Sequence, residues 1–594
     1  MRTIGIMHIP WKRIAGGALR SGCCSHGPTA LLGQPSYREL SLASRQSNVD
    51  IPFKKRMKDQ FRQKRDLDVH NSPSGASPTN TDWELTVGVE IHALLNTNRK
   101  LFSSALSAVG TGAPNSSVAL FDAAIPGSQP LFQTAALVPA IRAALALNCE
   151  IQPWSAFDRK HYFYWDQPAG YQITQYFHPL AKNGRLSIFP RDCPQIKDEV
   201  VVGIQQIQLE QDTAQTLWQP PSTNLIDLNR VSSPLIEIIS SPDIHDPAVA
   251  AMFVKKVQAV LKRINANIVG MEWGGLRADV NVSVQPRQHI SAQVGQPNNV
   301  AGSTLGRRTE IKNLSSFKAV EEAVRAEMSR QIRILESGGS VEGETRGWSL
   351  GSSETTRLRG KEGEVDYRYM PDPDLSPIHI DDSLVSYLRS SLPALPDELV
   401  TKYTSAPYHL SLKDARSLID HEDERRLDLY TSCFRQMQHR LGGEHLENGI
   451  GRTVGNWVLH DYGGLVADNA SLRTTGDDAH TLANIVSHVV RQEITAGVGK
   501  KVLSMILSGD LRPVRQILDE ELLWTNLLTE QELQRLARTL LDDNCKMVAQ
   551  MRQKQDPKKL IWFMGQMMRT AGKERVDPKA AEEVLRQLVF ESTS

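Results

Sequence analysis

Cysteine is scarce in this chain. There are six in 594 residues, Cys23, Cys24, Cys149, Cys193, Cys433 and Cys545. That is far too few for a disulfide-stapled scaffold, and no two have the C-x-x-C spacing that offers paired thiolates to zinc. No run of about 18 apolar residues is present, so no membrane-spanning helix is expected. Neither charge is in excess: 68 Lys and Arg face 67 Asp and Glu, for a net charge of +1. This excludes nucleic-acid binding through bulk charge and leaves only a local basic patch. A phosphate-cradling loop is missing too. The nearest approach to a Walker A motif is Gly499-Lys500, with Ile494 where the first glycine belongs and Lys501 where Ser or Thr belongs. Gly338-Gly339-Ser340 reads as the end of a helix, since no Ser-His or Ser-Lys pair accompanies it. If ATP is used, it must be held through metal-binding carboxylates.

One further absence is local. Met1 to Arg38 holds no Asp or Glu, while Arg2, Lys12, Arg13, Arg20 and Arg38 are scattered among serines. Such a stretch reads as an organellar transit peptide or, more plainly, a disordered cytosolic leader. Pro10 and Lys12 break it too early for a secretory signal. A Ser/Pro/Gly linker follows at NSPSGASPTNT from Asn71, so folding should begin near Asp82. Beyond it the hydrophobic fraction of 40% permits a sizeable core.

The first folded segment alternates strictly. Leu85, Val87, Val89, Ile91 and Ala93 interleave with Glu84, Thr86, Gly88, Glu90 and His92, a strand pattern. Glu90 and His92 therefore project from one face. A carboxylate beside an imidazole can share a metal ion, or can simply be a solvated outer face. A second strand, VVGIQQIQLEQD from Val201, ends in Glu210 and Asp212. A third, around Leu235 to Ile239, buries Glu237 in an apolar run, which is costly unless the carboxylate is paired or metal-bound. Asp246-Pro247 opens a helix with an apolar face at Phe253, Val257, Val260, Leu261 and Ile264. Later strands present Arg277, Asp279, Glu310 and Lys312 together. That set suits an anionic substrate with a divalent cation, and equally suits a surface salt-bridge ladder. The aromatics Tyr162, Phe163, Tyr164, Trp165, Tyr171, Tyr176 and Phe177 either line a pocket or fill a core.

Taken in order, these segments resemble one family. The strings are VGVEIHALLNTNRKLFS, HYFYWDQPAGYQITQY, DLNRVSSPLIEIISSPDI, MEWGGLRADVNVSV, RRTEIKNLSSF, ETRGW and TRLRGKEGEVDYRYMPDPDLSP. They are similar to the B subunits of tRNA-dependent amidotransferases, which convert Glu-tRNA(Gln) to Gln-tRNA(Gln). The most specific is Asp366-Tyr367-Arg368-Tyr369 followed by Pro371-Asp372-Pro373-Asp374. The resemblance implies an α+β fold, with an antiparallel-sheet cradle over 82–380, a helical connection over 381–440 and a helical tRNA-binding tail over 441–594. It implies Mg²⁺ on Glu90, His92, Glu210 and Glu237, with ATP as a substrate. Lys312, Arg277 and Arg308 become phosphate or carboxylate contacts. The implied partners are a glutaminase A subunit that supplies ammonia and a small third subunit, C- or F-like. The implied compartment is the mitochondrial matrix. A catalytically inactive tRNA-binding or assembly factor of the same fold is the alternative.

The sequence also departs from the family pattern. A stretch that carries a C-x-x-C pair in bacterial members reads PNSSVALFDAAIPGSQP here. The common E-E-D-A-G-K is Glu210-Gln211-Asp212-Thr213-Ala214-Gln215, and M-E-E-G-S-L-R is Met271-Glu272-Trp273-Gly274-Gly275-Leu276-Arg277. A second metal position thereby loses carboxylates. Near the C-terminus, Arg552, Lys554, Lys558, Lys559, Arg569, Lys573 and Arg575 face only Asp556 and Glu574. This is either the local basic patch the overall charge allows or a solvated helix face. Leu560, Phe563, Met564 and Met567 among them read as core.

Overall fold

The computed structural model describes residues 82–591 except 108–111, 162, 221, 268, 288–305, 350, 361–366, 421–424, 442–448, 469–477, 525–527, 555–558 and 573–575. The expected leader and linker over 1–81 lie outside the described residues.

Nine strands form the main sheet: β1 (Trp83–Leu94), β2 (Glu150–Ile151), β3 (Ala181–Ile188), β4 (Val200–Gln211), β5 (Pro234–Ser240), β6 (Leu276–Pro286), β7 (Thr309–Leu314), β8 (Glu344–Gly347) and β9 (Thr356–Gly360). Their spatial order is β9-β8-β7-β6-β1-β5-β4-β3-β2. Every pairing is antiparallel except β7 with β8. The first strand in the chain, β1, is thus central, gripped by β5 on one side and β6 on the other.

Period two gives this sheet two unlike faces. One carries Val87, Val89, Ile91, Ala93, Ile207, Leu209, Ile236, Ile238, Ala278, Val280, Val282 and Ile311, all buried. Two helices cover it, α1 (Pro247–Arg263) and α2 (Phe317–Glu336). The α1 N-terminus forms where the sequence signals it: Asp246 Oδ1 accepts from the Ala248 N–H at 2.7 Å, and Pro247 occupies the first turn. Ser316 caps α2 in the same way. At its far end Gly338 adopts φ +78° and closes the helix, as the Gly-Gly-Ser reading requires. Phe253, Val257, Val260 and Leu261 from α1 and Val320, Ala323 and Val324 from α2 fill the layer between helices and sheet. Each such fully buried Val, Leu, Ile or Phe stabilises the fold by roughly 1.5–3 kcal/mol. The other face holds the polar residues.

A small three-stranded sheet joins Asp158–His161, Tyr171–Thr174 and Met370–Pro371, bringing together segments about 200 residues apart in the chain. Helices dominate from Asp382 onward. Among the described residues most buried apolar side chains fall in three clusters. The first includes the sheet and extends to Leu388, so the helix Asp382–Ser390 packs with the cradle. The second runs from Leu399 to Leu523 and the third from Leu533 to Val589. Leu560, Phe563 and Met567 lie in the third and Met564 packs against it, as the sequence pattern suggests. Of the C-terminal basic residues, Lys558, Lys573 and Arg575 lie outside the described residues. The fold is α+β, a sheet domain followed by helices. Among the described residues no helix is long and apolar enough to cross a membrane.

Candidate metal centre

Strand register assembles the polar face. His92 on β1 stands opposite Glu237 on β5 and opposite Arg277 on β6. Glu210 on β4 sits one strand further, opposite Leu235. Since β4, β5 and β1 are adjacent, Glu210, Glu237 and His92 converge from three strands onto one point. His92 Nε2 lies 3.4 Å from Glu210 Oε1 and 3.6 Å from Glu237 Oε1. One donor atom from each residue falls within 4.8 Å of the other two. Glu210 is 3% exposed and Glu237 8%, so this is no solvated outer face.

Two buried carboxylates side by side demand positive charge. Burial disfavours a charged His92, but Glu237 and then Glu210 and Asp279 outweigh it, lifting the imidazole from 6.5 to about 9. Burial raises Glu237, and its neighbour Glu210 raises it further. Burial also opposes ionisation of Glu210, but the His92 hydrogen bond and Lys160 overcome that and hold it low. Neutral amides complete the arrangement. Gln172 Nε2 donates to Glu210 Oε1 at 2.8 Å. Gln208 donates to Glu237, and at 3.1 Å to Thr174 Oγ1. The trio is therefore oriented by its surroundings, as metal ligands usually are. Two carboxylate oxygens and one imidazole nitrogen fit a divalent cation that keeps open positions for water or phosphate oxygens.

The structure brings together three of the four ligands expected from the sequence. Glu90 shares the face but sits one pair further along, where Asn281 Nδ2 donates to its Oε1 at 2.9 Å. There it lines a cavity of about 280 Å³ together with Arg308, Ser240 and Asn281. Glu90 thus flanks the trio on the same face. The mixed-charge set is also placed on this face, as a ladder of close pairs. Lys312 Nζ lies 3.2 Å from Asp279 and 2.7 Å from Glu310. Arg277 reaches Asp212 at 2.9 Å, and Arg230 approaches the same carboxylate at 3.3 Å. Arg308 is exposed at the cavity wall. The salt-bridge ladder and the site are the same object here.

One residue escaped the sequence reading. Lys160, on the small sheet, faces the trio. Burial opposes its charge, but Glu210, then Tyr369 and Glu237, push its ammonium well above the usual value. Its Nζ sits 4.9 Å from the Tyr367 ring centre. Only its place beside the aromatic string hinted at a role. Burial pushes the Cys149 and Cys433 thiols up to about 12, so neither supplies a thiolate near neutral pH.

The comparisons with known proteins name a family. Residues 85–386 match the family model described as the GatB/GatE catalytic domain, and residues 444–589 match the GatB domain. Proteins named as the mitochondrial B subunit of glutamyl-tRNA(Gln) amidotransferase are similar over nearly the whole chain. The one from Aspergillus fumigatus is 51% identical, covering 97% of each chain. That from Aspergillus oryzae is 49% identical over 98% of this chain and 99% of its own, and that from Talaromyces stipitatus 51% over 91% of each. The first match covers the sheet domain with the polar face, and the second covers most of the helical region.

Proposed function

The chain belongs to the GatB/GatE family, and on that footing we propose that it is the mitochondrial subunit in which glutamate on tRNA(Gln) becomes glutamine. The γ-carboxylate is a poor acyl donor. One of its oxygens attacks the terminal phosphorus of ATP, ADP leaves, and γ-glutamyl phosphate forms. Ammonia then attacks the γ-carbon, phosphate leaves, and the amide remains. A glutaminase A subunit supplies the ammonia from glutamine, and a small third subunit completes the complex.

The observation that carries this reading is the buried His92–Glu210–Glu237 trio on the polar face. These three residues would hold Mg²⁺, which when bound offsets the charge on phosphate oxygens during transfer. The chain's own cations supply the rest. Lys160 lies within electrostatic reach of Glu210 and Glu237, so its ammonium would favour an anionic acyl phosphate there. Lys312 and Arg277 are locked by carboxylates and so hold fixed directions. Their role is to keep the face ordered while Arg308 at the cavity wall remains available for a phosphate or carboxylate. Thr174, Gln172 and Gln208 hold the two carboxylates in place. The helical tail, with its basic patch, is proposed to grip the tRNA body.

The inactive alternative requires a decayed site, and the convergent trio argues against it. A single-turnover assay of the assembled complex with Glu-tRNA(Gln), ATP and ammonia tests the reading directly, because ammonia bypasses the glutaminase. Gln-tRNA(Gln) should form only with ATP, and Glu237→Gln should slow it at least about a hundredfold. No amide from the wild-type complex would favour the inactive factor.

A further inference from the structure

Of the aromatic string, Tyr162 lies outside the described residues and Tyr171 packs against the first core cluster, but the others do not fill a core. Phe163 is 83% exposed, Trp165 60%, Phe177 50% and Tyr176 48%. Exposed aromatics in such density mark a binding surface. Part of this group is rigidly built. Tyr176 and Tyr369 stack with ring centres 4.1 Å apart and an interplanar angle of 11°. Phe177 meets Tyr176 edge-on at 5.0 Å, and Tyr367 meets Tyr369 edge-on at 6.0 Å. The backbone N–H groups of Tyr176 and Phe177 both donate to Asp158 Oδ2, at 2.8 and 3.0 Å. Asp158 is itself buried, so the two rings are presented from a fixed turn.

The position of this stack identifies its occupant. Thr174, two residues before Tyr176, accepts from Gln208, which also donates to Glu237. Tyr369 lies within electrostatic reach of Lys160, Glu210 and Glu237. Flat ring faces beside an ammonium, bordering a carboxylate-lined cation site, match a nucleobase attached to a phosphate-bearing strand. They do not match an apolar peptide, which gains nothing from Lys160. An aminoacyl group is esterified to the ribose of the unpaired terminal adenosine of tRNA. When the glutamyl side chain reaches the trio, that adenine must lie one ribose away. The Tyr176–Tyr369 stack adjoins Thr174, which is tied through Gln208 to Glu237.

We infer that Tyr176, Tyr369 and Phe177 form a stacking platform for an adenine base that positions the reacting group at the trio. The inference rests on the proposed function. Two sources share this chemistry, the terminal adenosine of the aminoacyl-tRNA and ATP itself. The measurement uses the assembled complex and two fluorescent probes: Glu-tRNA(Gln) with 2-aminopurine as its terminal base, and 2-aminopurine riboside triphosphate in place of ATP. Stacking quenches 2-aminopurine. Wild-type complex should quench the tRNA probe, Tyr176→Leu should relieve the quenching, and Tyr176→Phe should restore it. KM for Glu-tRNA(Gln) should rise about tenfold in Tyr176→Leu, the loss of one base–aromatic stack. KM for ATP should not move.

Quenching of the triphosphate alone, with KM for ATP raised, keeps the platform and assigns it to ATP. Equal fluorescence of both probes in wild type and Tyr176→Leu overturns the inference. So does loss of the A subunit from the purified Tyr176→Leu complex with unchanged quenching, which would make the aromatics a subunit interface. Failure of the wild-type complex to form amide would instead sink the proposed function, so the two failures are distinguishable. A thermal melt of each variant separates loss of stacking from loss of fold.

Discussion

The two faces of the nine-stranded sheet are built from alternate residues of the same strands, yet they obey opposite rules. Ile91 is fully buried under the helices, in a face that gains free energy from every apolar contact. Its neighbours Glu90 and His92 project into a face where burial costs energy and only paired charge makes it tolerable. One strand thus carries stability on its odd positions and chemistry on its even ones. The helices fix the register of β1 by the apolar face, and that register is what places His92 against Glu237.

Adjacent residues of β1 separate the two faces most sharply. His92→Ala should lower single-turnover amide formation at least about a hundredfold, the scale expected for removing a preorganised charged group. Its melting temperature, measured with Mg²⁺ present to offset the two carboxylates, should change little beside that loss. Normal turnover in His92→Ala would erase the division of labour. Ile91→Ala should do the reverse, costing roughly 2–5 kcal/mol in chemical denaturation because it leaves a cavity. Its folded fraction should turn over at the wild-type rate. A small stability cost there would mean that the helices do not fix β1.

A smaller effect lies at the junction of cradle and helical region. Asp192 meets Lys256 Nζ at 2.8 Å and Arg416 at 2.6 Å, while Lys256 also meets Asp397 at 2.8 Å. Burial opposes the Asp192 charge, but Lys256, the Phe189 N–H and Arg416 hold its carboxyl below the usual 3.8. A carboxylate depressed in the folded state contributes stability above its unfolded value and loses it as pH falls through its folded value. Melting temperature should therefore drop below about pH 4 in part through Asp192. Asp192→Asn should flatten that acid limb and leave amide formation at neutral pH unchanged. An identical acid limb in the variant would remove the junction from the account.

The apolar face was legible because period two needs no partner to be recognised. The strand at Trp83–Leu94, the helix at Asp246-Pro247 and the glycine stop at Gly338 all appear where local pattern places them. The polar face was legible only in its residue types. Glu237 stood out as a carboxylate in an apolar run, and His92 as an imidazole on a strand. What brings them together is pairing of β1 with β5, strands more than 100 residues apart in the chain, and of β5 with β4. Glu90 marks where spacing alone stops being informative. Its spacing from His92 along the strand puts it on the right face, one pair further along than the trio, where Asn281 donates to it. Lys160 was less visible still, because it arrives from another sheet altogether.

The central claim is that this face holds a divalent cation through three protein donors. Mn²⁺ titration of the assembled complex, followed by electron paramagnetic resonance, tests it without relying on turnover. One Mn²⁺ site is expected, weakening at least about tenfold in Glu210→Gln, the effect of losing a carboxylate ligand. Equal Mn²⁺ affinity in the wild type and in Glu210→Gln would contradict it.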